Sequence, residues 1–177
     1  MNSLSVDEVY EKNEEVAERL AALIDSLDKR QLDLLPEGEK WTIGNIVEHV
    51  SIVESGVIRI CTKLLRKSEA EDKAADGTIS VSDSFMEKTR EIARLQLEAP
   101  EIVQPTGERS VEESIERLME NRLSLQELKP TFEKFDSTEY RFPHPFLGEL
   151  SAGEWLMLIG GHKARHIKQI ERRVGQI

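Results

Sequence analysis

The chain has a single cysteine, Cys61, in 177 residues, so it cannot form an internal disulfide, and a reducing compartment is expected. No stretch of about eighteen apolar residues occurs, which excludes a membrane-spanning helix. The first residues, Met-Asn-Ser-Leu-Ser-Val-Asp-Glu-Val, have neither the basic start nor the apolar centre of a signal peptide, so the sequence points to the cytoplasm. Basic charge is also scarce. Lys and Arg number 24 against 34 Asp and Glu, a formal net charge of −10, and no basic cluster stands out. Such a chain repels a phosphate backbone, so nucleic acid is a disfavoured partner. There is no internal repeat, low-complexity tract or sign of a second domain. With 38 % hydrophobic residues the length is ample for one core, a single domain over residues 1–177.

What the sequence does contain is helical periodicity. Ser5 and Glu8 form a capping box, and Val9, Val16, Leu20, Leu23, Ile24 and Leu27 trace an apolar stripe to about Arg30. Asn13 falls on that stripe, where an edge position facing water is the favoured expectation. A connector follows, turned by Pro36 and Gly38. Thr42 then caps a second helix with Ile43, Ile46, Val47, Val50, Val53, Val57, Ile60, Cys61 and Leu64 inward. Cys61 has no visible base or electropositive neighbour and reads as small core filling. Ser68 to Thr78 reads as a polar loop, and Ser82 to Leu97 as a short helix. Pro100 to Gly107 cannot be continuous helix, because Pro105 lacks a donor and restricts Gln104; it reads as an extended crossing. Ser110 with Glu113 opens a further helix with Val111, Ile115, Leu118, Leu125 and Leu128 inward, expected to end at Pro130. Arg122 lies on this stripe, either snorkelling to water or aimed into a pocket as a cationic group for an anionic substrate. Four amphipathic helices of roughly 20 residues make an all-α four-helix bundle, and the long segment between the second and third implies a crossover connection.

The last helix carries the chemistry. It opens on Ser151 and Glu154, another capping box, and Trp155, Ile159, His162, His166, Gln169 and Ile170 share one face. Two histidines four residues apart leave adjacent turns on the same side and can hold one metal ion. Gly160 and Gly161 precede them at a cost of about 1 kcal/mol each against Ala, which suggests that another backbone or a ligand comes close there. His49 occupies the buried side of the second helix, beside Ile46, Val50 and Val53. Three of the four histidines thus sit on inward faces. Three neutral imidazoles with an open fourth position are the composition of a catalytic metal site. Glu48 points about 100° away from His49 and reads as a solvated charge.

The blocks Leu35-Pro-Glu-Gly-Glu-Lys-Trp-Thr-Ile-Gly-Asn-Ile-Val-Glu-His49, Phe142-Pro-His-Pro-Phe-Leu-Gly148, Gly153-Glu-Trp155 and His162-Lys-Ala-Arg-His-Ile-Lys-Gln-Ile170 resemble the DinB-like (DinB/YfiT) superfamily, in the same order and over nearly the whole chain. The resemblance implies a four-helix bundle of unusual connection order, frequently a homodimer, with a divalent metal on His49, His162 and His166. His144 corresponds to a family feature that is not a ligand and is expected in a loop near the pocket mouth. Members of the superfamily include thiol S-transferases using a low-molecular-weight thiol, a mycothiol-dependent isomerase and proteins described as metal-dependent hydrolases. The implied function is activation of such a thiol, or of water, for transfer or hydrolysis on a small-molecule substrate. Zinc or nickel is the expected ion, although imidazole also suits copper and iron. Arg122 and Asn13 are the candidate pocket residues. The alternative is a stress-response bundle that binds metal or a small ligand without turnover.

Overall fold

Helix starts in this protein are set by side chains three residues apart. In the computed structural model, which describes residues 2–95 and 97–175, Ser5 accepts from the Glu8 N–H while the Glu8 carboxylate accepts from the Ser5 N–H, and helix α1 follows over Val6–Asp25. Each such box satisfies donors that a helix start leaves unpaired. The stripe expected to continue to Arg30 breaks at Ser26, whose hydroxyl donates to the Leu23 carbonyl. Asp28 and Gln31 then cap a separate short helix, α2, Lys29–Asp33. Local side-chain bonds have displaced the helical ladder here. Thr42 and Asn45 open α3, Ile43–Ala70, and Ser82 caps α4, Asp83–Ile92. Ser110 with Glu113 opens α5, Val111–Lys134, and Ser151 with Glu154 opens α6, Ala152–Val174.

Two of these helices outrun the sequence expectation. Ser68, placed in a loop by its polar surroundings, is buried in the last turns of α3 and donates to the Asp136 carbonyl at 2.6 Å. Pro130 does not end α5, which carries it internally and continues to Lys134. The reason is the apolar residues beyond it: Phe132 is wholly buried and Phe135 nearly so, which offsets the hydrogen bond that proline removes. Two small antiparallel sheets also form, β1 (Asn2–Ser5) with β2 (Thr78–Val81), and the hairpin β3 (Arg141–His144) with β4 (Gly148–Ser151). The segment from Pro100 to Gly107 holds one 3-10 turn at Glu101–Val103 and is otherwise extended.

Side-chain pairs give the directions of the long helices. Tyr10 meets Leu125 and Glu14 meets Arg122, so α1 and α5 run antiparallel. His49 meets His162 while Cys61 meets Ala152, so α3 and α6 are also antiparallel. Asn13 meets Leu156 and Arg19 meets Glu171, which makes α1 parallel to α6. It follows that α3 and α5 are parallel, and the chain between them must return along the bundle. This is a four-helix bundle with a long crossover. Its interior holds two apolar clusters, one including Val57, Leu125, Phe132, Trp155 and Ile159, the other Leu20, Ile24, Ile46, Val50, Ile167 and Ile170. Buried polar side chains also enter the interior, among them Asn13, Glu54, Asn121, Lys163 and His166. Among the described residues no helix is long and apolar enough to cross a membrane.

Candidate metal centre

The antiparallel contact of α3 with α6 brings together the three histidines that the stripes pointed inward. Nε2 of His162 lies 3.2 Å from Nε2 of His49 and 3.2 Å from Nε2 of His166. One ligand atom from each falls within 4.8 Å of the others, an arrangement that could hold a metal ion. Two nitrogens bound tetrahedrally to one ion at roughly 2.0–2.1 Å stand about 3.3–3.4 Å apart, close to these separations.

The partners of the outer nitrogens make the arrangement specific. His49 Nδ1 lies 2.7 Å from the Val103 carbonyl, which can only accept, so Nδ1 carries the proton and Nε2 a lone pair. His166 Nδ1 is held in the same way by Gln169 Oε1 at 2.8 Å. Two lone pairs therefore converge on His162 Nε2, which has at most one proton to offer. A shared cation resolves the remaining contact, and a second nitrogen anchored to a carbonyl or amide oxygen is how metal-ligating imidazoles are usually oriented. Burial favours the neutral ring in all three. It lowers the pKa of His49 against the opposing pull of Val103, lowers His166 to about 4 with His49 adding to the effect, and takes His162 well below its usual value with the other two rings contributing. Neutral imidazole is the form that binds metal. Trp41 covers His49, ring centroids 4.9 Å apart.

Glu48 departs from the solvated position expected of it. It is 1 % exposed rather than solvated, and its carboxylate accepts from the Thr106 N–H at 3.1 Å, the Thr106 hydroxyl at 2.7 Å and the Gly107 N–H at 3.1 Å. It anchors the crossover that supplies the Val103 carbonyl, and so acts on His49 at one remove.

Beside His162 is a cavity of about 60 Å³ lined by His144, Trp155, Glu54, Lys163 and aliphatic side chains. His144 closes strand β3 of the hairpin, not a loop, and its ring faces this space. Glu54 and Lys163, which the sequence reading passed over, form a buried ion pair at 2.5 Å, with the side chains 3 % and 5 % exposed. Asn121 supports it, donating to the Ser51 carbonyl at 3.0 Å and lying 3.5 Å from Glu54 Oε2. The signal was present in the stripes: Glu54 follows Val50 by four residues, and Lys163 follows Ile159 by four.

The other two candidate pocket residues are elsewhere. Asn13 and Arg122 line a crevice of about 10 Å³ that also touches Glu54 and Lys163 but not the three histidines. Asn13 does not face water as expected. It is 5 % exposed, donates to the Leu156 carbonyl at 3.2 Å, and presses its Oδ1 where a Cβ on Gly160 would stand, 2.5 Å away. Gly160 thus admits a close neighbour, but it is the Asn13 side chain and not the backbone or ligand expected, and a Cβ on Gly161 would meet nothing within 4 Å. Arg122 is half-exposed and paired with Glu14 at 3.0 Å and Glu18 at 3.6 Å, so its charge is already answered at the surface. Cys61 is fully buried, its thiol pushed far up by burial and directed at the Ala152 carbonyl, in keeping with core filling.

Known proteins resemble this chain. Uncharacterized protein YuaE of Bacillus subtilis (strain 168) is 22 % identical over 145 residues, covering 82 % of this chain and 84 % of that protein. A solved structure described as TT2238, a four-helix bundle protein, superposes with a TM-score of 0.61 at 25 % identity, covering 93 % of this chain and 96 % of that one. Residues 12–170 match the family described as the DinB superfamily, and since that span takes in both histidine-bearing helices, the chain belongs to the DinB superfamily.

Proposed function

We propose that the protein is a divalent-metal-dependent enzyme acting on a small molecule, with His49, His162 and His166 as the protein ligands of the ion. The observation that carries this is the convergence of three Nε2 atoms, two of them held as lone-pair donors by Val103 and Gln169. Three imidazoles leave a coordination position open for chemistry, whereas structural sites are closed by four ligands. When bound, the ion supplies Lewis acidity that brings a low-molecular-weight thiol, or water, into nucleophilic form near neutral pH. The chain's own part is to keep the imidazoles neutral by burial, to fix their orientation through the crossover and Gln169, and to seat a substrate in the largely apolar cavity beside His162. Zinc or nickel is the proposed ion, and a homodimer the proposed assembly, to be checked by sedimentation velocity.

A second reading, in which metal or a small ligand is held without turnover, is favoured by the small volume of that cavity, about 60 Å³. Metal-loaded protein assayed for consumption of 2-mercaptoethanol with propylene oxide, and for hydrolysis of p-nitrophenyl acetate, separates the two. Turnover by the native chain that is lost in His162→Ala supports the enzyme. Stoichiometric metal with neither reaction accelerated supports the binding protein.

A further inference from the structure

His144 is the polar group of the cavity that the three-histidine centre leaves unused. It stands between Pro143 and Pro145, and its ring lies against Trp155 with centroids 5.1 Å apart. Its Nδ1 is 3.1 Å from the Phe146 N–H nitrogen and 3.2 Å from that of Leu147. Backbone N–H groups can only donate, so Nδ1 must accept, and the proton of the neutral ring sits on Nε2. The turn that presents both donors is closed by Gly148 at φ 82°, so the tautomer is built into the hairpin. Among the described residues no group accepts the Nε2–H. The same ring lines the cavity with His162, and the wall between them is mostly aliphatic: Val50, Val53, Val57 and Ile159. Glu54 and Lys163 also border it, but as an ion pair they add no net charge.

We propose that His144 is a substrate-binding residue whose Nε2–H donates to an acceptor oxygen of a small, uncharged electrophile, a ketone-like or ether-like molecule whose apolar body packs on the aliphatic wall. This rests on the metal-site reading for the chemistry it serves. Because Nε2 already bears the proton, His144 orients and polarises the substrate oxygen and does not deprotonate a nucleophile. The paired charges nearby leave nothing for an anionic substrate to neutralise, which is why the uncharged class is the fit.

The first test needs no variant: long-range 1H–15N spectra of the full chain should show His144 protonated at Nε2, and protonation at Nδ1 would overturn the proposal. The second follows binding of cyclopentanone, with cyclopentane as the control lacking oxygen, by chemical-shift titration. His144→Phe keeps a ring against Trp155 but has no donor; it should weaken cyclopentanone about fivefold and leave cyclopentane unchanged, as expected for one hydrogen bond. His144→Gln, whose amide can donate, should recover part of the loss. Cyclopentanone that fails to bind the native chain, or binds His144→Phe equally well, overturns the proposal. Metal content measured on the same samples keeps the two readings apart. Metal absent from the native chain removes the metal-site reading, whereas unchanged metal with unchanged ketone affinity in His144→Phe removes only the role of His144.

Discussion

Replacing Lys163 with Met removes one partner of a pair whose side chains are 5 % and 3 % exposed and 2.5 Å apart. The Glu54 carboxylate would remain in the bundle with only Asn121 near it, 3.5 Å from Oε2. Breaking a buried pair in this way costs about 3–5 kcal/mol, because the surviving charge keeps its desolvation penalty and loses its compensation. For a chain of this length that is a fall in Tm of about 6–20 °C. Urea denaturation of Lys163→Met, Glu54→Leu and the double variant supplies the cycle. The double variant should recover most of the loss, since two apolar side chains of similar volume bury no unpaired charge. A single variant that costs less than about 1 kcal/mol, the value typical of exposed pairs, would refute the assignment of this pair to the dry interior.

Neighbouring glycines should respond in opposite directions to the same substitution. Gly160→Ala forces a Cβ to within 2.5 Å of Asn13 Oδ1 and should destabilise by about 1–3 kcal/mol, while Gly161→Ala meets open space and should stabilise by up to about 1 kcal/mol, both read from denaturation midpoints. Glu48→Ala strands the N–H groups of Thr106 and Gly107, so stability should fall by about 1.5–3 kcal/mol, with faster amide exchange at both residues. For metal-free protein, His166 titrates at about 4 when folded against an ordinary 6.5, so the unfolded chain binds the extra proton first. The stability it contributes is complete above about pH 6.5 and is lost as pH falls towards 4, on the order of 3 kcal/mol, whereas His166→Gln should show a flatter profile over that window.

Much of this molecule was legible because its determinants are local. The boxes at Ser5, Thr42, Ser110 and Ser151 act over three residues, and the stripes they introduce placed His49, His162 and His166 on faces that do meet. What a single sequence does not contain is the partner of an inward polar group. Asn13 bonds a carbonyl 143 residues away and Glu48 a hydroxyl 58 residues away, so a polar residue at an inward or flanking position looked like a solvated edge. Glu54 and Lys163 lay inside apolar stripes, but only their pairing across α3 and α6 explains why charge is tolerated there. The strands β1 and β2 are four residues each and find one another across the whole of α1, α2 and α3, too short and too distant for alternation to reveal. Pro130 is the converse, a strong local signal overruled by the burial of Phe132.

Metal content by elemental analysis, on untagged protein purified without chelator and compared with His49→Ala and His166→Ala, decides whether the three histidines hold an ion. About one ion per chain is expected in the native protein and its loss in both variants, with helicity preserved by the two apolar clusters. Native protein that takes up no zinc, nickel or manganese on reconstitution, or either variant retaining full occupancy, would contradict it.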